Sequence, residues 1–398
     1  MTPAPTPVDE HAAVADALAR LPRVADLLAA RAEEHDRDGT FPYQGVEAVH
    51  EAGLLTLTVA RRHGGAGAGL ADTVHVLAGL GRGDASVAVL VAHTLLLHAE
   101  QARGGLWPAA SYRRVLTESR RGPALLGTLR SEPGGPVGAP PATVAHWDGE
   151  AWELTGRKTD CSGAEALSWM AVHARTDETV PRVGLFLVRG DSPGLEIDPV
   201  WDQLGLRASA GHDVILDKVR VAPEHAVRLT LTGHTDPAQQ AAAELSRAWH
   251  DLALSAVHLG TARAAQDWLI RFLRQRTPAN LTEPLAELPR YRYALGEIEA
   301  SLIGAEEVLR ATAAGIDRGD REAVARSAAG RLIAGRAAGS AVQEAVALTG
   351  NPGLSRRHPL ERYLRDVLSS RMHFPPDEAV LDTLGRAALD RGNPRRPS

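Results

Sequence analysis

The feature that most constrains this chain is a change in the spacing of its apolar residues. Before about residue 123 they recur at helical intervals. Leu18, Leu21, Val24 and Leu28 fall three or four apart, and "PYQGVEAVHEAGLLTL" and "LADTVHVLAGLGRGDASVAVLVAHTLLLHAEQA" continue the pattern. Past that point come short runs split by turn residues: "TVAHW", "AWELT", "SWMAVHAR", "VGLFLVRG" and "HDVILDKVRVAP". Within "HWDGEAW" the Asp148-Gly149 pair predicts a hairpin, since glycine supplies the positive φ of a tight turn. From about residue 240 three long amphipathic segments follow with short connections, as in a helical bundle. The pattern implies an α+β, mainly α, chain. Its parts are a helical domain (1–123), a β domain (124–235) and a helical bundle (236–398). Pro22 is expected to kink the first helix or to start a new one.

Charge and cysteine usage exclude several classes of function. Lys and Arg number 44 against 49 Asp and Glu, and no basic run is long enough to line a row of phosphates, so nucleic acid is not an expected partner. "MTPAPTPVDE" lacks the basic start and apolar core of a leader peptide, and no stretch is expected to span a membrane. A cytoplasmic protein is the expectation. The single Cys161 forms no internal disulfide and reads as packing, and the 16 histidines show no metal-ligand spacing, so no metal site is expected. The glycine-rich "HGGAGAG" (63–69) lacks phosphate-loop spacing and reads as a connector.

Five strings, in order, resemble the acyl-CoA dehydrogenase superfamily of flavoenzymes. "SEPGG" (131–135) is similar to its Thr-Glu-Pro loop over the flavin, and "LTGRKTDCSGAEALSWMAVHART" to its Gly-x-Lys strand and small-residue turn. "WDQLGLRASAGHDVILDKVRVAP" resembles its Trp-x-x-x-Gly-Met-Arg run. "PLAELPRYRYALGEIEA" and "ALTGNPGLSRRHPLERYLRDV" resemble segments of its C-terminal bundle. The resemblance, which runs from about residue 15 to about 389, implies a middle antiparallel β-barrel-like domain and a C-terminal four-helix bundle. It also implies a flavin between the two, and a homotetramer or homodimer in which a neighbouring subunit completes the pocket. On this resemblance Ser131 and Ser162 lie beside the isoalloxazine, and Trp201 falls on a pocket tryptophan. Arg276 corresponds to an arginine that reaches the pyrophosphate, which favours FAD over FMN, and Gly350 and Gly353 to a turn offered by the neighbour.

The departures from the family pattern bear most on function. Counting from Arg365-Asp366, the place of the dehydrogenase glutamate is taken by Phe374, which cannot accept a proton. Asp160 stands where an aromatic ring usually packs on the flavin; it either pairs with Lys158 or Arg157 or serves the site. "PVGAP" replaces the expected Gly-Ser-Asp. Flavin monooxygenases of this fold, such as dibenzothiophene monooxygenase and the amino-sugar nitrososynthases, resemble the chain in a Leu-His pair at the position of Met372-His373. They also resemble it in a helix-borne histidine that His93 matches. The first expectation is therefore a monooxygenase acting on a small molecule through a C4a-hydroperoxyflavin. His373 and His93 would donate or exchange protons, and a separate reductase would supply reduced flavin. His373 would alternatively be a helix C-cap, and His93 a core histidine. A second expectation is an acyl-thioester dehydrogenase, on coenzyme A or a carrier protein, with its base moved to His250 or Asp251. A third is a flavin-poor homologue that serves as a binding partner.

Overall fold

The strand-like runs fold into one sheet. The computed structural model describes residues 12–105, 107–134, 140–232, 236–372 and 375–391. Its strands are β1 (Leu125–Leu129), β2 (Val144–Trp147), β3 (Trp152–Cys161), β4 (Leu167–Thr176), β5 (Arg182–Arg189), β6 (Leu195–Asp198), β7 (His212–Val221) and β8 (Ala226–Leu231). Their order is β6-β7-β3-β2-β4-β5-β8, with β1 set against β4. The expected hairpin joins β2 to β3. Trp147 pairs with Trp152, the Asp148 carboxylate accepts from the N–H groups of Glu150 and Ala151 at 2.8 Å each, and Gly149 takes φ 104°. The other pairings are antiparallel except that β1 and β2 both run parallel to β4. Such a central strand is covered on both faces, which is why β4 reads as nearly continuous apolar sequence. The strand-like runs do not announce β1, β6 or β8. "LLGTL" has no alternation, and the other two are short and half-exposed.

The N-terminal helices are α1 (Ala12–Asp38), α2 (Tyr43–Glu51), α3 (Leu70–Gly83), α4 (Ala85–Gly104) and α5 (Ala109–Glu118). Pro22 neither ends α1 nor starts a new helix. The helix continues through it, held by buried Leu21, Val24 and Leu28. By length and composition α4 is apolar enough to cross a membrane, against the expectation from sequence, but 78% of its most apolar window is buried inside the protein. Burial of α4 within a helical core accounts for that composition.

The C-terminal helices are α6 (Pro237–Gln275), α7 (Pro289–Asp317), α8 (Arg321–Thr349), α9 (Leu360–Leu368) and α10 (Asp377–Asp390). The longest, α6, has 39 residues and spans about 58 Å at 1.5 Å per residue. Asp236 caps it by accepting from the Ala238 N–H at 2.9 Å, and Pro237 stands at the first position, where its missing N–H does no harm. α6 is buried around most of its middle because it packs on α3 and α4 on one side and on α7, α8 and α9 on the other. Its crossing with α3 is unusually close. A Cβ at Gly81 would strike the Val257 carbonyl and one at Gly260 the Ala78 carbonyl, while Thr261 Oγ1 donates to the Gly81 carbonyl at 3.3 Å. The far end of α7 supports the same junction, since the Asp317 carboxylate caps α3 at the N–H groups of Leu70 (2.7 Å) and Ala71 (2.9 Å).

Gly260→Ala should therefore force α3 and α6 apart and cost about 1–3 kcal/mol, the usual penalty for overpacking. Gly304→Ala on exposed α7, where a Cβ meets nothing within 4 Å, should instead gain up to about 1 kcal/mol from helix propensity. Urea denaturation of the two variants checks the contrast.

Candidate active site

The segments around residues 131, 158–163 and 201–212 meet at one end of the sheet. Lys158 on β3 is fully buried, and its Nζ donates to Glu132 Oε1 and to the His173 carbonyl, both at 2.5 Å. Glu132 also accepts from the N–H groups of Ala142 (2.5 Å) and Thr143 (2.9 Å) and from Thr143 Oγ1 (2.6 Å). Burial pushes the Glu132 carboxyl up, but the Lys158 and Thr143 donors outweigh it and bring its pKa down to about 2. Burial pulls Lys158 below the ordinary lysine value, against the Glu132 charge. The glutamate of the Ser-Glu-Pro loop is thus locked to the lysine of the Gly-x-Lys strand.

Backbone bonds complete the junction. Thr159 N–H donates to the Ser131 carbonyl (3.0 Å), Gly163 N–H to Ser209 (2.7 Å) and Ala164 N–H to Ala210 (3.2 Å). Three non-glycine residues with left-handed φ gather here, Asp160 (54°), Leu206 (53°) and Ala210 (44°), a concentration of backbone strain typical of functional sites. Among the described residues the Ser131 and Ser162 hydroxyls have no hydrogen-bond partner. Asp160 is exposed and pairs with neither Lys158 nor Arg157; the arginine is taken by Asp213 (2.7 Å) and Asp198 (2.6 Å). Trp201 is half-buried, its ring over Gly211, and its Nε1 donates to the Leu206 carbonyl at 3.1 Å. Cys161 is buried and its thiol is pushed up to about 12 by burial, so it serves packing.

The same loop holds the end of α9. Asp366 Oδ1 accepts from the Leu206 N–H (2.7 Å), and Arg365 reaches Asp36 (2.6 Å) and the Leu204 carbonyl (2.9 Å). A 3₁₀ turn, Ser369–Met372, follows. His373 and Phe374 lie outside the described residues, as does the 135–139 stretch of "PVGAP". Immediately beyond them, buried Arg331 on α8 donates from Nη2 to the Pro375 carbonyl at 2.7 Å.

Two of the expected catalytic histidines come together. His93 on α4 faces His250 on α6 with ring centroids 6.4 Å apart, and both are half-buried. Burial lowers the His93 pKa to about 4, so the ring is neutral near pH 7, with one nitrogen donating and the other accepting. Asp251 points elsewhere. Its side chain is fully enclosed against α8, 3.9 Å from Arg331 Nε, and among the described residues neither carboxylate oxygen is hydrogen-bonded. Burial raises its pKa to about 6, with Arg331 and Arg247 opposing. Arg331 escaped sequence reasoning; its only signal was an arginine set among the small residues of "SAAGRLIAGRAAG".

Arg276 lies apart from the histidine pair within one chain. Arg276 caps the C-terminus of α6, twenty-six residues past His250, or about 39 Å along the axis. Gly350 ends α8 and Gly353 lies buried against Thr349 in the following turn.

Three family models match the chain in succession: the N-terminal (9–104), middle (130–219) and C-terminal (252–377) domains of acyl-CoA dehydrogenase. The chain belongs to the acyl-CoA dehydrogenase family. It is 30% identical over 375 residues to the putative acyl-CoA dehydrogenase YdbM of Bacillus subtilis, covering 93% of this chain and 96% of that protein. It is also 30% identical over 393 residues to an L-evernosamine nitrososynthase from Micromonospora, covering 93% and 91%. The structure of KijD3 with FMN and dTDP-3-amino-2,3,6-trideoxy-4-keto-3-methyl-D-glucose superposes with a TM-score of 0.83. Identity is 26%, and the match covers 99% of this chain and 97% of that one.

Two consequences are measurable. Lys158→Met leaves Glu132 buried without its counter-ion and should cost about 3–5 kcal/mol by urea denaturation at pH 7. Because the Glu132 pKa is depressed in the fold, that contribution is present above its unfolded value near pH 4.5. It fades as pH falls toward about 2. Asp251 has the opposite sign. With its folded pKa raised to about 6, stability should fall as pH rises from about 4 through 6, and Asp251→Asn should flatten that part of the stability–pH curve.

Proposed function

We propose that this protein is a flavin-dependent monooxygenase acting on a small molecule, with FMN or FAD held where the Ser131, Ser162 and Trp201 loops meet the bundle. Three things support a flavin there: the domain family, the FMN in the KijD3 structure, and two serine hydroxyls that have no hydrogen-bond partner among the described residues. The bound flavin supplies the electron transfer and the oxygen chemistry. The chain's own groups bind, orient and manage protons.

One observation carries the preference for oxygenation: α4 and α6 bring two imidazoles, His93 and His250, together, while Asp251, the carboxylate next to them, is turned away and enclosed with Arg331. A dehydrogenase needs a base strong enough to take an α-proton from an acyl thioester. An oxygenating site needs donors that steady a developing charge and walls that exclude water. A neutral His93 can hand on a proton and take one back without carrying charge into an apolar helix pair. By the resemblance His373 would add a further donor, and Phe374 would leave the place of the dehydrogenase glutamate without a base. The nitrososynthase similarity supports the same reading.

The second reading, an acyl-thioester dehydrogenase using His250, is favoured by the resemblance to YdbM. Stopped-flow spectroscopy separates the two. Protein mixed with reduced flavin and oxygen should give an absorbance transient that outlasts that of free flavin, shortened about tenfold or more in His93→Ala or His373→Ala. Bleaching of bound oxidised flavin by an acyl-CoA under anaerobic conditions would establish the dehydrogenase instead. Failure to bind flavin in either redox state would leave a binding homologue.

A further inference from the structure

Asp251, Ser255 and His258 recur four and three residues apart on the face of α6 that turns toward α8, about 100° round the helix from His250. Against that face lies a cavity of about 300 Å³, bounded by α8, the end of α9 with its 3₁₀ turn, and the start of α10. Gly335 and Gly339, one turn apart on α8, leave the room for it. A Cβ at Gly335 would stand 3.8 Å from the Ser370 side chain, and one at Gly339 would meet nothing within 4 Å.

The charge in its wall is unbalanced. Arg331, Arg336 and Arg371 line the cavity, and among the described residues Asp377 is the one carboxylate that does. His258 adds no charge near pH 7, since burial lowers its pKa to about 4. Arg336 Nε comes no nearer than 3.9 Å to Asp377, and Arg371 makes no hydrogen bond or ion pair among the described residues.

Arg331 is the deciding group. Its side chain is 5% exposed, Nη2 donates to the Pro375 carbonyl at 2.7 Å and Nη1 stands 3.5 Å from Asp377, while Nε has no hydrogen-bond partner among the described residues. Asp251, at 3.9 Å, is too distant to accept from Nε and does not line the cavity. A buried guanidinium with donors left over is unfavourable unless an acceptor enters beside it. The rest of the wall sets the kind of acceptor. Ser340, Ser370 and Gln343 offer neutral hydrogen-bonding groups that suit hydroxyls. A phosphate monoester carries nearly two negative charges and several acceptor oxygens, so it can engage more than one guanidinium at once, which a single carboxylate does less well.

We propose that the cavity between α6, α8 and the end of α9 binds a small phosphate monoester with a hydroxylated body, held by Arg331, Arg336 and Arg371. Neither the flavin loops nor the His93 and His250 pair lines this site, and it does not depend on the reaction proposed for them. An occupied site supplies the acceptors that Arg331 lacks, and so firms the guanidinium that also holds Pro375 at the entry to α10.

The test is calorimetric titration of the flavin-loaded full chain, with excess flavin removed, against glycerol 3-phosphate. Glycerol is the uncharged control and malate the dicarboxylate. Glycerol 3-phosphate should bind, more weakly as salt is raised, and its affinity should fall about tenfold or more in both Arg331→Met and Gly339→Leu. Gly339→Leu fills the cavity from a position where a Cβ meets nothing, so it should fold and keep the test decisive even where Arg331→Met does not fold. Arg326→Met, exposed on the same helix and outside the cavity, removes the same charge and should bind as wild type does. The proposal is overturned if glycerol 3-phosphate does not bind, if Gly339→Leu binds it as wild type does, if glycerol or malate binds as tightly, or if Arg326→Met weakens binding as much as the cavity variants.

Discussion

The close crossing of α3 and α6 fixes the geometry on which the rest depends. With Gly81 and Gly260 at the contact, the helices approach until the Val257 and Ala78 carbonyls occupy the space of the missing side chains. That approach seats the N-terminal helices on the bundle. α4, which follows α3 directly behind the Asp84 cap, is thereby laid along the start of α6. His93 and His250 face each other as a result. Neither residue's local sequence specifies the pairing.

The sheet is tied to this helical frame by charge buried in a small volume. Lys158 and Glu132 join two strand-end loops, and Asp366 and Arg365 join a third loop to α9 and α1. Lys158, Glu132 and Arg365 each make several hydrogen bonds, the condition under which buried charge specifies a geometry and does not merely destabilise. Arg331 is the contrast. It is shared among the Pro375 carbonyl, Asp377 at 3.5 Å and an Asp251 that accepts no hydrogen bond among the described residues. The segment entering α10 is thus held by a looser network than the sheet loops.

Much of the fold was legible in the residues themselves. Asp148-Gly149 marked the β2–β3 hairpin because few residues accept a φ near 104°. The long amphipathic runs marked α7 and α8, and the motif order pointed to the family. Strands β1, β6 and β8 were not legible, since their pairing is set by neighbours distant in sequence. The α1 continuation through Pro22 was also hidden, because buried side chains on either side outweigh one lost hydrogen bond. In the site, the histidines were legible one at a time but assigned to rival mechanisms. Asp251 was adjacent to His250 in sequence, yet a helix turns neighbouring residues about 100° apart, so the two face different partners.

The sequence by itself determined the order of helices, sheet and bundle, the family, and the absence of a glutamate at position 374, because these depend on residue identity and local periodicity. Only the tertiary structure decided which titratable groups lie side by side and which are enclosed. Those properties depend on distances between segments 80 or more residues apart. They also depend on the low dielectric between those segments, which no single stretch of chain encodes.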